Sequence, residues 1–398
     1  MNPTDENEED EYHEIMDANA INKAYNEAIN AIKSLRSKMK QYQNQRNSTD
    51  PSVLSNYLKS DKAYYPSANK ERNGSQRFQC RSTFKGHFGK LHRISWSFNG
   101  YLASTAQDQK LIVWSGSDSN AGNKICVVDL PDLSGMALDF SCKNGEYVAC
   151  GGLDNHCTIY KINYPSSDDE KSNYTKLNVL RKHTGFISDC VLMNDDTELV
   201  TASGDGKMYL WDIENSLPTQ EFNGHDGDVM CVTECNIEYY GGFGDNKVNN
   251  KFLLSASTDG TCKLWDYRLS KANNCVFTYY LHDNDVNCCS WFPDGQAFAS
   301  GSEDGTVKLI DIRTHRQLNI YKTKGGALNS VQSLCFSKSG YFLCAGLDGD
   351  EYCQTWKTAT TQLRYPLPHD QRVTGVKLSP GGNKIATSCW DHFVRLWA

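Results

Sequence analysis

The chain lacks any apolar run approaching ~18 residues, so no segment is expected to cross a bilayer as a helix. Its first residues are acidic and carry no apolar core, which argues against a secretory signal peptide. Position 2 is Asn and the last residues are Arg395-Leu396-Trp397-Ala398, so neither a myristoyl nor a prenyl signal is expected. The 16 cysteines include no C-x-x-C pair. Most sit in β-like apolar runs such as Val148-Ala149-Cys150 and read as free thiols buried as small hydrophobes in a reducing compartment. On that reading the sequons at Asn47, Asn73 and Asn173 are chance matches.

A one-sided charge is missing from most of the chain as well. The formal net charge is −7, but residues 1–20 hold eight acids and no Lys or Arg, and the remaining 378 residues sum to +1. A body so nearly neutral gives no support for a polyanion-binding surface, which needs clustered Lys and Arg. Glycines occur in Glu238–Lys251, yet no Gly-Lys-Ser/Thr follows, so a surface loop is expected there and no phosphate cradle. No cofactor and no metal-ligand set is expected.

What the chain does have is a repeat. The segments Thr105–Trp114, Ala202–Trp211, Ala256–Trp265, Gly301–Ile310 and Ser388–Trp397 superimpose without gaps, each with an Asp six positions before a large residue. Weaker copies run from Asp154 to Tyr160 and from Asp348 to Trp356. The seven aspartates fall at 108, 154, 205, 259, 304, 348 and 391, a spacing of 43 to 54 residues. Asp-Gly between apolar runs marks a tight hairpin, because Gly tolerates the positive φ such turns require. Seven β units of this length match the WD-repeat pattern, with four strands per propeller blade.

Five repeats carry a His upstream of the Asp (His87, His183, His225, His282, His369), and the same five carry a hydroxyl four residues before it (Ser104, Thr201, Ser255, Ser300, Thr387). Cys150 and Cys344 replace the hydroxyl in the other two. Residue types that rise and fall together are expected to bond one another. Four sets are complete: His87, Ser104, Asp108, Trp114; His183, Thr201, Asp205, Trp211; His225, Ser255, Asp259, Trp265; and His369, Thr387, Asp391, Trp397. The fifth has Ile310 in place of Trp. The same residue types serve hydrolases as a Ser–His–Asp triad. A triad occurs once, at one cleft, whereas five copies in one register are scaffolding, so no catalytic residue is assigned and the protein is not expected to be an enzyme.

Residues 78–398 are expected to form one domain, an all-β seven-bladed propeller. The last repeat leaves no room for a fourth strand, and residues 78–84 supply the strand that closes the ring. Ahead of it, Ala18, Ile21, Tyr25, Ala28, Ile32, Leu35, Met39 and Tyr42 recur at alternating intervals of 3 and 4, a heptad seam on a predicted helix over 15–46. One narrow seam cannot bury itself. It pairs with another chain's helix, pairs with its own copy, or docks on the propeller. Residues 1–14 read as an acidic disordered leader, and 47–77 as a short helix and linker.

A heptad helix followed by seven WD repeats resembles the heterotrimeric G-protein β subunit. Lys85–His92, Tyr147–Asn155, His183–Phe186, Gly224–Met230, Phe336–Gly340 and Ser388–Asp391 are similar to that family at its own repeat positions. The resemblance implies a non-enzymatic switch partner. Its helix would pair with a γ subunit as an obligate dimer. One propeller face would bind the GDP-bound α subunit and slow nucleotide release, then engage effectors once α leaves. A receptor would act through the heterotrimer, held at the inner face of the plasma membrane by the lipids of γ and α. By position, the α-facing residues are Phe88, Lys90, His92, Lys110, Ile112, Leu153, Asn155, Thr184, Asp228, Met230, Asp285, Asn287, Glu303 and Trp390. The sequence departs from the family at Gly135-Met136-Ala137, where the family has a Trp and a Met, and at Thr258, where it has a Cys. Two other readings stay open on the residues alone: a generic cytosolic WD-repeat scaffold, and a nucleic-acid or histone-binding propeller.

Overall fold

A computed structural model of the chain describes residues 78–398 apart from 118–119, 132–134, 142–143, 165–172, 194–195, 236–250, 270–273, 325–328, 350–351 and 365. The leader, heptad helix and linker expected over 1–77 lie outside the described residues, as do most of the segments 163–176 and 238–251.

The Asp-containing turns fold as read. Blade 1 comprises β2 (Leu91–Trp96), β3 (Tyr101–Ala106), β4 (Lys110–Ser115) and β5 (Lys124–Asp129), hydrogen-bonded in that order, and every pair is antiparallel. The pattern recurs around the ring with innermost strands β6 (Gly135–Phe140), β10 (Ile187–Leu192), β14 (Val229–Glu234), β18 (Val286–Trp291), β22 (Ser330–Phe336) and β25 (Val373–Leu378). The result is a seven-bladed propeller. Closure comes from β1 (Cys80–Lys85), which pairs antiparallel with β27 (Phe393–Trp397) as the outer strand of the last blade. Residues far apart in sequence thereby remove an open edge.

Blade 6 differs. Its sheet has three strands, β22, β23 (Phe342–Asp348) and β24 (Cys353–Lys357). Where a fourth is expected, the Arg364 amide bonds to the Thr355 carbonyl and the Leu367 amide to Cys353, with one bridge between Trp356 and Leu363. Pro366 and Pro368 have no N–H to offer a ladder, so the segment follows β24 without becoming a strand.

Blades pack face to face, so middle strands are buried on both faces. On β4, Leu111 and Val113 pack with Phe140, Val148 and Tyr160 of blade 2, while Ile112 and Trp114 pack with Ala386, Val394 and Leu396 of blade 7. The strand therefore reads as a continuous apolar run instead of an alternation.

Every innermost strand also carries a β-bulge near its start, one residue in except in β22, where it is two. The unpaired residues are His92, Met136, Ser188, Met230, Asn287, Gln332 and Thr374. A bulge leaves one residue outside the ladder and re-aims its side chain. Seven such residues encircle one mouth of the central channel.

Candidate partner-binding face

The tetrads are built as hydrogen-bonded chains. In blade 4 the Trp265 indole N–H donates to Ser255 Oγ at 2.8 Å, Ser255 Oγ lies 2.7 Å from His225 Nε2, and His225 Nδ1 lies 2.9 Å from Asp259. The same links span 2.7–3.0 Å in blade 1 and 2.8 Å throughout blade 3. In blade 5, His282 joins Ser300 and Asp304, both at 2.8 Å, without the Trp. If each indole donates to the hydroxyl and each hydroxyl to Nε2, the proton on Nδ1 points at the carboxylate and the imidazole is neutral. Burial pushes the Asp205 carboxyl up, but the hydrogen bonds from His183 and the Thr184 amide outweigh it and hold it at about 2. Asp108 and Asp259 are lowered by the same balance.

Blade 7 departs from the expected tetrad. His369 Nε2 meets Thr387 at 2.8 Å and Trp397 donates to the same hydroxyl at 2.9 Å, but His369 Nδ1 turns to the Leu367 carbonyl at 2.9 Å. Asp391 sits instead 2.6 Å from Arg395 Nη1, four residues on. A strong cation within reach takes the carboxylate, and burial with no carboxylate partner lowers the His369 pKa to about 4.

The tetrad Asp of blades 1, 3 and 4 also accepts a backbone amide from the loop after its His: Phe88 at 2.9 Å, Thr184 at 3.0 Å and Asp226 at 3.1 Å. The scaffold thereby presents these loop residues on one rim. A second backbone bond repeats beside it, from Gln107 to Lys90, Thr258 to Asp228, Glu303 to Asp285 and Trp390 to Arg372, at 2.9–3.0 Å. Lys90, Asp228, Asp285 and Arg372 thus share one repeat position on the rim, and Glu303 and Trp390 share the position bonded to it. Asn155 joins it by donating to the Thr184 carbonyl at 3.2 Å, and Lys110 pairs with Asp129. Phe88 is 86% exposed and Leu153 54%, which leaves both side chains outside the core formed by the described residues. His92 and Met230 are half-buried members of the bulge ring.

Two of the fourteen expected partner-facing residues are not on this surface. Ile112 is fully buried against blade 7, because β4 has no solvent face at that level. Asn287 is buried too, its amide donating to the Val331 carbonyl of the next blade at 3.2 Å. Arg372, which the sequence reading passed over, belongs to the rim. Its Cζ lies 4.8 Å from the Trp390 ring centroid and its Nη1 3.0 Å from Asp348. The signal was available, since Arg372 stands at the repeat position of Lys90. Burial and the neighbouring Arg93, Arg372 and Lys90 depress the His92 pKa.

The rim has a charge asymmetry: Asp226, Asp228, Asp285 and Glu303 over blades 4 and 5, and Lys90 and Arg372 at the junction of blades 7 and 1. With Phe88, Leu153, Met230 and Trp390 among them, the face has the makeup of an interface core with a polar rim.

Comparison with known proteins agrees with this architecture. A family model described as G protein beta WD-40 repeat protein matches residues 30–398. A protein named guanine nucleotide-binding protein subunit beta from Arabidopsis thaliana is 35% identical over 338 residues, covering 82% of this chain and 85% of its own length. One of the same name from Nicotiana tabacum is 34% identical over 385 residues, covering 93% and 95%. A third, from Zea mays, is 35% identical over 335 residues, covering 80% and 83%. The chain belongs to the G protein β WD-40 repeat family.

Proposed function

We propose that this chain is the non-catalytic β subunit of a heterotrimeric G protein. It forms an obligate dimer with a γ subunit through the seam Ala18–Tyr42 and binds a GDP-bound α subunit on the rim just described. Binding slows nucleotide release from α, and separation of α opens the same rim to effectors. The receptor acts through the assembled heterotrimer. The lipids of γ and α place it at the inner face of the plasma membrane.

The observation that carries this reading is the exposed rim itself. Apolar Phe88, on a loop tied to the blade 1 tetrad, exposed Leu153, Trp390 stacked with Lys90 and Arg372, and flanking charges of both signs lie together there. A backbone held in place before association lowers its ordering cost.

Co-expression tests it. The full chain should be recovered with a small helical partner that ends in a prenylation motif. Recovery of homodimers alone would sink the reading.

A further inference from the structure

Arg93 lies one residue past the bulge of β2, half-buried where it lines the central channel. Its Nε donates to the Met136 carbonyl at 3.2 Å, and its Nη2 donates to the carbonyls of Ser188 and Met230, both at 3.4 Å. These acceptors are the bulge residues of blades 2, 3 and 4. A bulge residue falls outside the strand ladder, so its carbonyl needs a donor from elsewhere. A planar guanidinium can serve three of them at once because its N–H groups diverge in a fixed fork.

Five of the seven bulge side chains fall into two kinds. Ser188 donates to Val229, Asn287 to Val331 and Thr374 to Leu91, each fastening its blade to the next. Met136 and Met230 have no donor to give, and both remain half-buried at the mouth of the channel. Their carbonyls are thus held from the channel while their side chains stay partly exposed.

We propose that Arg93 is a positioning residue for partner binding: it holds Met136 and Met230 at the height where they form one apolar seat for the α subunit. This rests on the function proposed above. It also accounts for the altered Gly135-Met136-Ala137 stretch. Gly135 cannot carry a larger side chain, since a Cβ there would meet Cys150 Sγ at 2.7 Å and Thr105 Cγ2 at 2.9 Å. Met136 is therefore the residue of that stretch able to reach a partner, and its placement depends on the bond from Arg93.

The test uses the full chain purified with its γ partner and titrated with GDP-loaded α subunit. Arg93→Lys keeps a positive charge near Asp189 but offers one ammonium to three carbonyls. It should weaken α binding about tenfold, within the range of couplings between contacting residues. In a Met230→Ala background the same change should cost less than about threefold, because one of the two side chains Arg93 positions is gone and the apolar seat is already broken. Equal fold-losses in both backgrounds, or unchanged affinity, would overturn the proposal. Methyl NMR of the methionines reads the effect without α. Met136 and Met230 signals should move in Arg93→Lys while buried Met208 stays in place, and unmoved Met136 and Met230 signals would overturn it as well. A parent chain that binds no α, with the methionine shifts as expected, would refute the α-subunit reading while leaving the positioning geometry intact.

Discussion

The Lys90 ammonium sits 4.0 Å from the centroid of the Trp390 ring, with the Arg372 guanidinium also over that ring. Each cation is drawn to the negative face of the indole, which fixes the ring at the junction of blades 7 and 1. An aromatic held this way before association makes a good anchor, because little side-chain entropy remains to be lost. Trp390→Ala should weaken binding of the GDP-loaded α subunit by ~2 kcal/mol or more, the scale of central aromatic anchors. Calorimetric titration measures this, and unchanged affinity refutes the assignment of Trp390.

The tetrads predict a ranking among aspartates. Asp259→Ala leaves the His225 Nδ1 proton without its acceptor and should cost roughly 1–3 kcal/mol. Asp391→Ala should cost less, because His369 is already satisfied by Leu367 and Arg395 also faces Asp370. Thermal melts of the two variants compare them directly. An Asp259→Ala melt matching the parent, or a larger loss for Asp391→Ala, contradicts the assignment.

Two sets of carboxylates give opposite pH dependences. Asp139 is half-buried beside the channel, accepting from Ser95 at 2.8 Å and from the Leu192 amide at 2.9 Å. Burial lifts its pKa from the usual 3.8 to about 6 despite Lys377. A carboxyl raised in the folded state favours folding below its unfolded pKa, and that contribution fades as pH rises through 6. Asp205, held at about 2, does the reverse: its contribution is present above 3.8 and fades as pH falls toward 2. Denaturant titrations between pH 4 and 7 should show the parent losing on the order of 2 kcal/mol relative to Asp139→Asn as pH rises. Parallel curves contradict the burial argument.

The turn after each Asp predicts a stabilising change. Gly206, Gly260 and Gly305 adopt φ of 72–77° there, and Gln109, Asn155 and His392 hold φ of 60–73° at the same position. Left-handed backbone costs an ordinary L-residue roughly 1 kcal/mol. Gln109→Gly should therefore raise the melting temperature slightly, and Gly260→Ala should lower it, since its Cβ would also stand 3.1 Å from the His282 carbonyl. A lower melting temperature for Gln109→Gly contradicts this.

The hairpin turns, the strands around them and most of the tetrads were legible in the sequence because they rest on local signals: Asp-Gly, apolar runs and four residue types at fixed spacing. The closing strand was legible from topology, since a ring one strand short must find it elsewhere. The misplacement of Ile112 arose from reading one strand alone, when burial on both faces is a property of neighbouring blades. Blade 7 was misread at Asp391 because spacing does not show which of two donors, His369 or Arg395, a carboxylate will take. The bulge ring and the reach of Arg93 across three blades had no local signal. An orphaned carbonyl exists only once the strands are registered.

The central claim is that the rim of this propeller acts on a nucleotide-bearing partner. Its most direct test is the rate of GDP release from the α subunit with increasing amounts of the full chain and its γ partner. The account predicts that release slows saturably, and that Trp390→Ala shifts the saturation to higher concentration. A release rate unchanged at every concentration would contradict it.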